Sequence, residues 1–233
     1  MYTYLYLILN ILSISYPLLK TWDERVWMRK NQREIWISTV MVASFFIVWD
    51  VLFTMSGFWG FNSDYLVGIH IVNLPLEEVL FFFCIPYACI FIYEVVRYFD
   101  RTNWFKSVGK AINVFWLLLS VGLLVMGYDR WYSVVTAILL IALLLLHQFV
   151  IKSNKEYLGR FYLSFIFILI PFIVVNGILT GTFILDQVVW YSENEIIGLR
   201  ILTIPVEDLF YCLLMMLTIV TIYEWLLTRK KIK

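Results

Sequence analysis

Seven stretches of this chain are apolar for long enough to cross a hydrocarbon core, and that pattern excludes an ordinary soluble fold. A core of ~30 Å needs roughly 20 helical residues at ~1.5 Å rise each. The stretches fall near 2–20, 35–54, 75–96, 111–128, 131–151, 161–181 and 204–227. With 62% of the 233 residues hydrophobic and 19% aromatic, too little polar sequence remains to cover a water-soluble domain. The predicted fold class is therefore all-α: a polytopic membrane protein with seven transmembrane helices. Only Gly127 to Arg130 separate the fourth stretch from the fifth, which calls for a tight helical hairpin. No basic residue precedes the first stretch and no small-residue cleavage site follows it, so it reads as a retained helix and not as a signal peptide.

The charges orient these spans. Lys20, Arg25, Arg29, Lys30 and Arg33 lie between the first and second, and Arg97, Arg101, Lys106 and Lys110 between the third and fourth. Lys152, Lys155 and Arg160 lie between the fifth and sixth, and Arg229, Lys230, Lys231 and Lys233 after the seventh. These are alternate loops, and they hold all of the 18 basic residues except Arg130 and Arg200. The positive-inside rule then places the chain in a cell membrane with its amino terminus outside and its carboxyl terminus in the cytoplasm. Nucleic acid has no basic surface to bind. Cys84, Cys89 and Cys212 sit inside apolar runs without metal-ligand neighbours and read as buried thiols.

One pattern occurs twice, 130 positions apart. Leu74-Pro75-Leu76-Glu77-Glu78-Val79-Leu80-Phe81 runs on to Ile92-Tyr93-Glu94, and Ile204-Pro205-Val206-Glu207-Asp208-Leu209-Phe210-Tyr211 runs on to Ile222-Tyr223-Glu224. Gly68/Gly198 and Ile71/Ile201 also match in this register. The first span pairs with the fifth, the second with the sixth after a shift of about four residues, and the third with the seventh. Equivalent spans lie an even number of crossings apart, so the copies run parallel about an axis along the membrane normal. The expected organisation is a first three-helix repeat over 1–106, a linking transmembrane helix over 107–130 and a second three-helix repeat over 131–233. The third and seventh helices should then pack near each other, with the second and sixth beside them.

Each copy sets two acids at the threshold of a span. Glu77, Glu78, Glu207 and Asp208 share one depth, joined by Asp50 and Asn176 near the outer ends of the second and sixth spans. Proline followed by acidic residues is a common helix start, since carboxylates favour the positive end of the helix dipole by ~0.3–1 kcal/mol. Repetition of the whole constellation favours function, because ionisable groups at membrane depth are costly and usually do work. In a dry slot such a pair supplies a general acid and a general base. Phe81, one turn beyond Glu77 and matched by Tyr211, is a candidate pocket aromatic. Glu94 and Glu224 read as interfacial ion pairs with Arg97 and Arg229, and His70 and Arg200 as interfacial residues. Neither a dinucleotide fingerprint, a phosphate loop nor a metal-ligand cluster is present in the sequence, so no cofactor and no metal are expected.

The paired P-x-E-E and P-x-E-D elements, with Trp49-Asp50 in one copy and Asn176 in the other, resemble the integral-membrane lycopene cyclase family, in its single-chain fused form. The resemblance covers nearly the whole chain. It implies non-redox, acid–base cyclisation of the ends of lycopene to β-rings (β-carotene by way of γ-carotene), in carotenoid biosynthesis. It implies Glu77, Glu78, Glu207 and Asp208 as the essential carboxylates. Asp50, Asn176, Phe81, Tyr211, Pro75 and Pro205 would form the substrate pocket. The partners implied are lycopene or a related linear carotenoid, the lipid bilayer and other enzymes of the same pathway. The alternative from another class is a membrane transporter or proton channel using the same carboxylates, marked by flux in liposomes that hold no carotenoid. A retinal-binding seven-helix protein is disfavoured, because all nine lysines lie in the basic loops or the tail.

Overall fold

The computed structural model describes residues 3–23, 28–151 and 155–232. Position 2 of the first predicted span and the basic residues Arg25, Lys152 and Lys233 lie outside the described residues. Among the described residues seven α-helices carry the fold: α1 (Leu5–Lys20), α2 (Gln32–Met55), α3 (Leu76–Phe99), α4 (Gly109–Met126), α5 (Trp131–Leu145, continued as a π-turn over Leu146–Val150), α6 (Lys155–Leu179) and α7 (Val206–Ile232). Six of them are long and apolar enough to cross a membrane, while α1, with 16 residues, is shorter. The protein is thus an all-α, multi-pass membrane protein. Helix α7 runs past the predicted limit to Ile232, so Arg229 and Lys230 are helical rather than part of a free tail.

Helix α1 lies on α3, and α5 lies on α7. Helices α2 and α6 each touch both α3 and α7, and α3 touches α7. Helix α4 sits to one side, against α5 and α6. The α3–α4 connection crosses α6 at Gly159, where an added methyl would stand 2.6 Å from the backbone carbon and oxygen of Phe105. That neighbour is main chain and cannot swing aside. Gly159→Ala should therefore lower stability by ~1–3 kcal/mol, the usual range for overpacking, read as a lower unfolding midpoint in detergent. An unchanged midpoint would show that the crossing is loose.

The α2–α3 and α6–α7 connections are not irregular. Strand β1 (Trp59–Phe61) pairs antiparallel with β4 (Val189–Tyr191), setting Trp59 opposite Tyr191 and Phe61 opposite Val189. Asn62 N–H donates to Val188 O at 2.9 Å, and Ser192 N–H donates to Phe58 O at 2.8 Å, which extends the ladder at both ends. Each connection then makes a tight hairpin into its helix: β2 (His70–Ile71) with β3 (Leu74–Pro75), and β5 (Arg200–Ile201) with β6 (Ile204–Pro205). The same backbone recurs 130 positions on. Gly68 and Gly198 have φ of 88° and 85°, which only glycine adopts freely, and Val72 and Leu202 have φ of 61° and 58°. The amides of Leu76 and Val206 close the turns on Ile69 O and Leu199 O at 2.8 and 2.9 Å. These strands of two or three residues are too short to leave an alternating pattern in the sequence.

At the other end of the bundle α3 and α7 are tied crosswise. Tyr93 Oη donates to Glu224 Oε1 at 2.7 Å, and Tyr223 Oη donates to Glu94 Oε1 at 2.9 Å. Arg97 Nη1 stands 3.3 Å from Glu94 and 3.2 Å from Glu224. The expected Glu224–Arg229 pair is replaced by this one. Five helical residues turn a side chain by roughly 140°, off the shared face, and Arg229 instead lies over the Trp225 ring at 4.0 Å. Glu94 is fully buried between the helices.

Candidate active site

The N-termini of α3 and α7 fix the acids in pairs, and adjacent helical residues point about 100° apart. One acid of each pair turns back to the connection that precedes it. Glu77 Oε1 accepts the Val67 N–H at 2.6 Å, and Glu207 Oε1 accepts the Ile197 N–H at 2.6 Å and the Ser133 hydroxyl at 2.7 Å. Both residues are fully buried, and the Oε2 of each has no donor. Glu77 and Glu207 do not line the cavity described next. Nor do Pro75 and Pro205, which pair with His70 and Arg200 in the hairpins and start the two helices.

The second acid of each pair turns inward, to a shared cavity of about 80 Å³. Glu78, Asp208, Asp50, Asn176, Phe81 and Tyr211 all line it, bringing α2, α3, α6 and α7 together at one place. Asp208 is fully dressed: Oδ1 accepts from Tyr132 Oη at 2.6 Å, and Oδ2 accepts from Asn176 Nδ2 at 2.8 Å and Tyr191 Oη at 2.9 Å. Three donors match an ionised carboxylate, which only accepts. Glu78 receives one hydroxyl, from Tyr6 at 2.5 Å. Asp50 Oδ1 accepts from Trp59 Nε1 at 2.5 Å and from Thr54 at 3.3 Å, while its Oδ2 is buried without a partner.

Aromatic rings complete the walls. Tyr132 stacks on Tyr191 at 6.0 Å and meets the edges of Trp59 at 5.1 Å and Tyr211 at 6.2 Å. Tyr6 meets Phe81 edge-on at 6.2 Å. Tyr191 lies in β4, and burial followed by the charge of Asp208 pushes its phenol well above the ordinary range. It therefore stays a neutral donor at any physiological pH. Rings around such a cavity offer their negative faces to a cation, and unsatisfied carboxyl oxygen offers a place for a proton. Among the described residues, no group of three or more His, Cys, Asp or Glu side chains is placed to hold a metal ion.

Tyr6, Tyr132, Trp59 and Tyr191 do not figure among the residues chosen from the sequence. Tyr6 and Tyr132 stand 126 positions apart, as do Asp50 and Asn176, so the four-residue shift already applied to the second and sixth spans aligns them as well. Trp59 and Tyr191 come from the strands over the cavity, and their sequence signal is only an aromatic residue just beyond an apolar span.

The family model for lycopene cyclase matches residues 3–96 and 129–226. The stretch between, 97–128, holds α4 and the connection leading to it. No curated protein and no solved structure matches the chain. With most of its length covered, the chain belongs to the lycopene cyclase family, the ring-forming enzymes of carotenoid biosynthesis.

Proposed function

We propose that the chain is the fused form of this enzyme, two parallel three-helix repeats over 1–106 and 131–233 joined by α4, and that both repeats build one acid–base site. The repeat reading is supported by the hairpins and φ angles that recur 130 positions apart and by two matched stretches of similar extent, 3–96 and 129–226, on either side of α4. The amino end and the strand-covered cavity lie outside and the Arg97 end in the cytoplasm, by the distribution of basic residues.

The observation that carries the mechanism is the meeting of Glu78 and Asp50 with Asp208 across one aromatic-walled cavity. The Asp50 and Glu78 wall has more acceptor oxygens than donors, and it holds the proton to be delivered. That proton adds to the terminal double bond of the polyene, whose π electrons form the new C–H bond and leave a tertiary carbocation. The neighbouring internal alkene attacks the cation, closing a six-membered ring and moving the positive charge onto a ring carbon. Asp208 removes an adjacent proton, the C–H electrons return as a ring double bond, and no net oxidation occurs. Tyr132, Tyr191, Trp59 and Phe81 flank the transient cation, while Asn176 and the two tyrosines hold Asp208 in place. Loss of the proton toward the conjugated chain yields the β-ring.

Glu77 and Glu207 act as positioning residues that pin each connection to its helix. Expression in a lycopene-accumulating host should convert the pigment to cyclic carotenoid. Unchanged lycopene beside inserted, folded protein would reject the reading, and ion flux in carotenoid-free liposomes would turn it toward a channel.

A further inference from the structure

The cavity does not end at the acids. It adjoins an apolar groove of about 300 Å³, with which it shares the walls Phe81, Ile85, Phe172, Asn176 and Cys212. Across the shared walls Phe91 and Ile92, that groove adjoins an open-sided chamber of about 530 Å³ between the far end of α3, Leu163 and Phe167 of α6, and Trp104. From Glu78 to Phe99 the run along α3 is about 30 Å at 1.5 Å per residue, the thickness of a hydrocarbon core. The three helices around its middle, α1, α3 and α6, each carry an internal proline, Pro17, Pro86 and Pro171. Proline breaks the close register of a helix, and Pro17 and Pro171 themselves line the groove. Tyr16, Phe167, Phe99 and Trp104 are 59%, 48%, 75% and 75% exposed along it, so it is open sideways to lipid.

We propose that this groove seats the unreacted remainder of the substrate, and that the chamber at Leu163 and Phe167 receives its opposite end group. The inference rests on the cyclase reading above. A rod-like polyene suits a row of adjoining apolar recesses of that length, and the walls shared with the acid cavity commit the groove to the same molecule rather than to a second ligand. Because Glu78 and Asp208 meet in one cavity, each binding event closes one ring. A second ring requires the product to leave into the bilayer and return reversed, with its finished ring in the far chamber. The far chamber therefore decides between monocyclic and bicyclic product.

The test is the ratio of monocyclic to bicyclic carotenoid formed by Leu163→Trp, which narrows the chamber, and by Phe167→Ala, which widens it. Leu163→Trp should raise the monocyclic share at least several-fold while lycopene consumption continues, and Phe167→Ala should move the ratio the other way. If the parent chain stops at one ring, the second ring should appear in Phe167→Ala. A merely destabilised protein would match the parent chain expressed at the same reduced level of folded protein, so the ratio is compared with that control at equal lycopene consumption. An unchanged ratio in both variants, with rings still formed, overturns the groove, and co-purified phospholipid that falls in Leu163→Trp would then name a lipid acyl chain as its occupant. Absence of rings even in the parent chain would instead overturn the cyclase reading itself.

Discussion

Glu78→Gln and Asp208→Asn should each lower ring formation by ~10²-fold or more, whereas Glu77→Gln and Glu207→Gln should leave turnover per folded molecule within a few-fold. Positioned proton transfer contributes ~10²–10⁴ to a rate, and only groups facing the cavity can make the transfer. Glutamine at Glu78 keeps the acceptor that Tyr6 uses but has no acidic proton to give. Asparagine at Asp208 leaves Asn176, Tyr132 and Tyr191 in place, and the phenols can rotate to accept from its amide, so the fold should survive. Asp50→Asn belongs with the first pair, because it places in α2 the residue that α6 already carries as Asn176. At Glu77 and Glu207 the neutral amide still accepts the Val67 and Ile197 amides. Its new N–H₂ takes the place of an oxygen that already lacks a partner. The loss there is stability, of ~1–3 kcal/mol for a buried group left unpaired. Pigment analysis of all five variants, normalised to folded protein, separates the two sets. Normal ring formation in Glu78→Gln, or its abolition in folded Glu77→Gln, would reverse the assignment of acid and positioning residue.

Apolar length and the alternation of basic loops made the membrane helices legible, since both follow from what a bilayer excludes. The place of the acids in the first turns of α3 and α7 was legible for the same reason: they precede long apolar runs. Which acid of each pair faces the cavity was not. Neighbours on a helix diverge by about 100°, so the sequence says that Glu77 and Glu78 point differently, but only the partner helices decide which direction is inward. The hydrogen-bonding tyrosines were readable in principle, because Tyr6 and Tyr132 obey the same four-residue offset as Asp50 and Asn176. The strands over the cavity were not readable. Their register comes from one connection pairing with another far along the chain, which leaves no local period.

The same lesson holds at the Arg97 end, where the expected surface pairs became a cluster between helices, and its strength should be measurable. Arg97→Met leaves Glu94, fully buried, and Glu224, with a side chain only 14% exposed, facing each other without a cation. Breaking a buried pair by removing one partner costs ~3–5 kcal/mol, and the 25% exposure of the Arg97 side chain places the expected loss near the lower bound. Surface pairs of the kind expected from the sequence would contribute only ~0–1 kcal/mol. The triple variant Arg97→Met, Glu94→Gln, Glu224→Gln should regain most of the loss, because Tyr93 and Tyr223 can still donate to the amide oxygens. Unfolding midpoints in detergent compare the three proteins, and a single variant within 1 kcal/mol of the parent, or no recovery in the triple, would show that the cluster does not lock the helices. Because α3 and α7 also carry Glu78 and Asp208 at their opposite ends, activity should fall with the amount of folded protein while turnover per folded molecule stays unchanged. A fall in turnover itself would mean that the cluster takes part in the chemistry from the far side of the membrane.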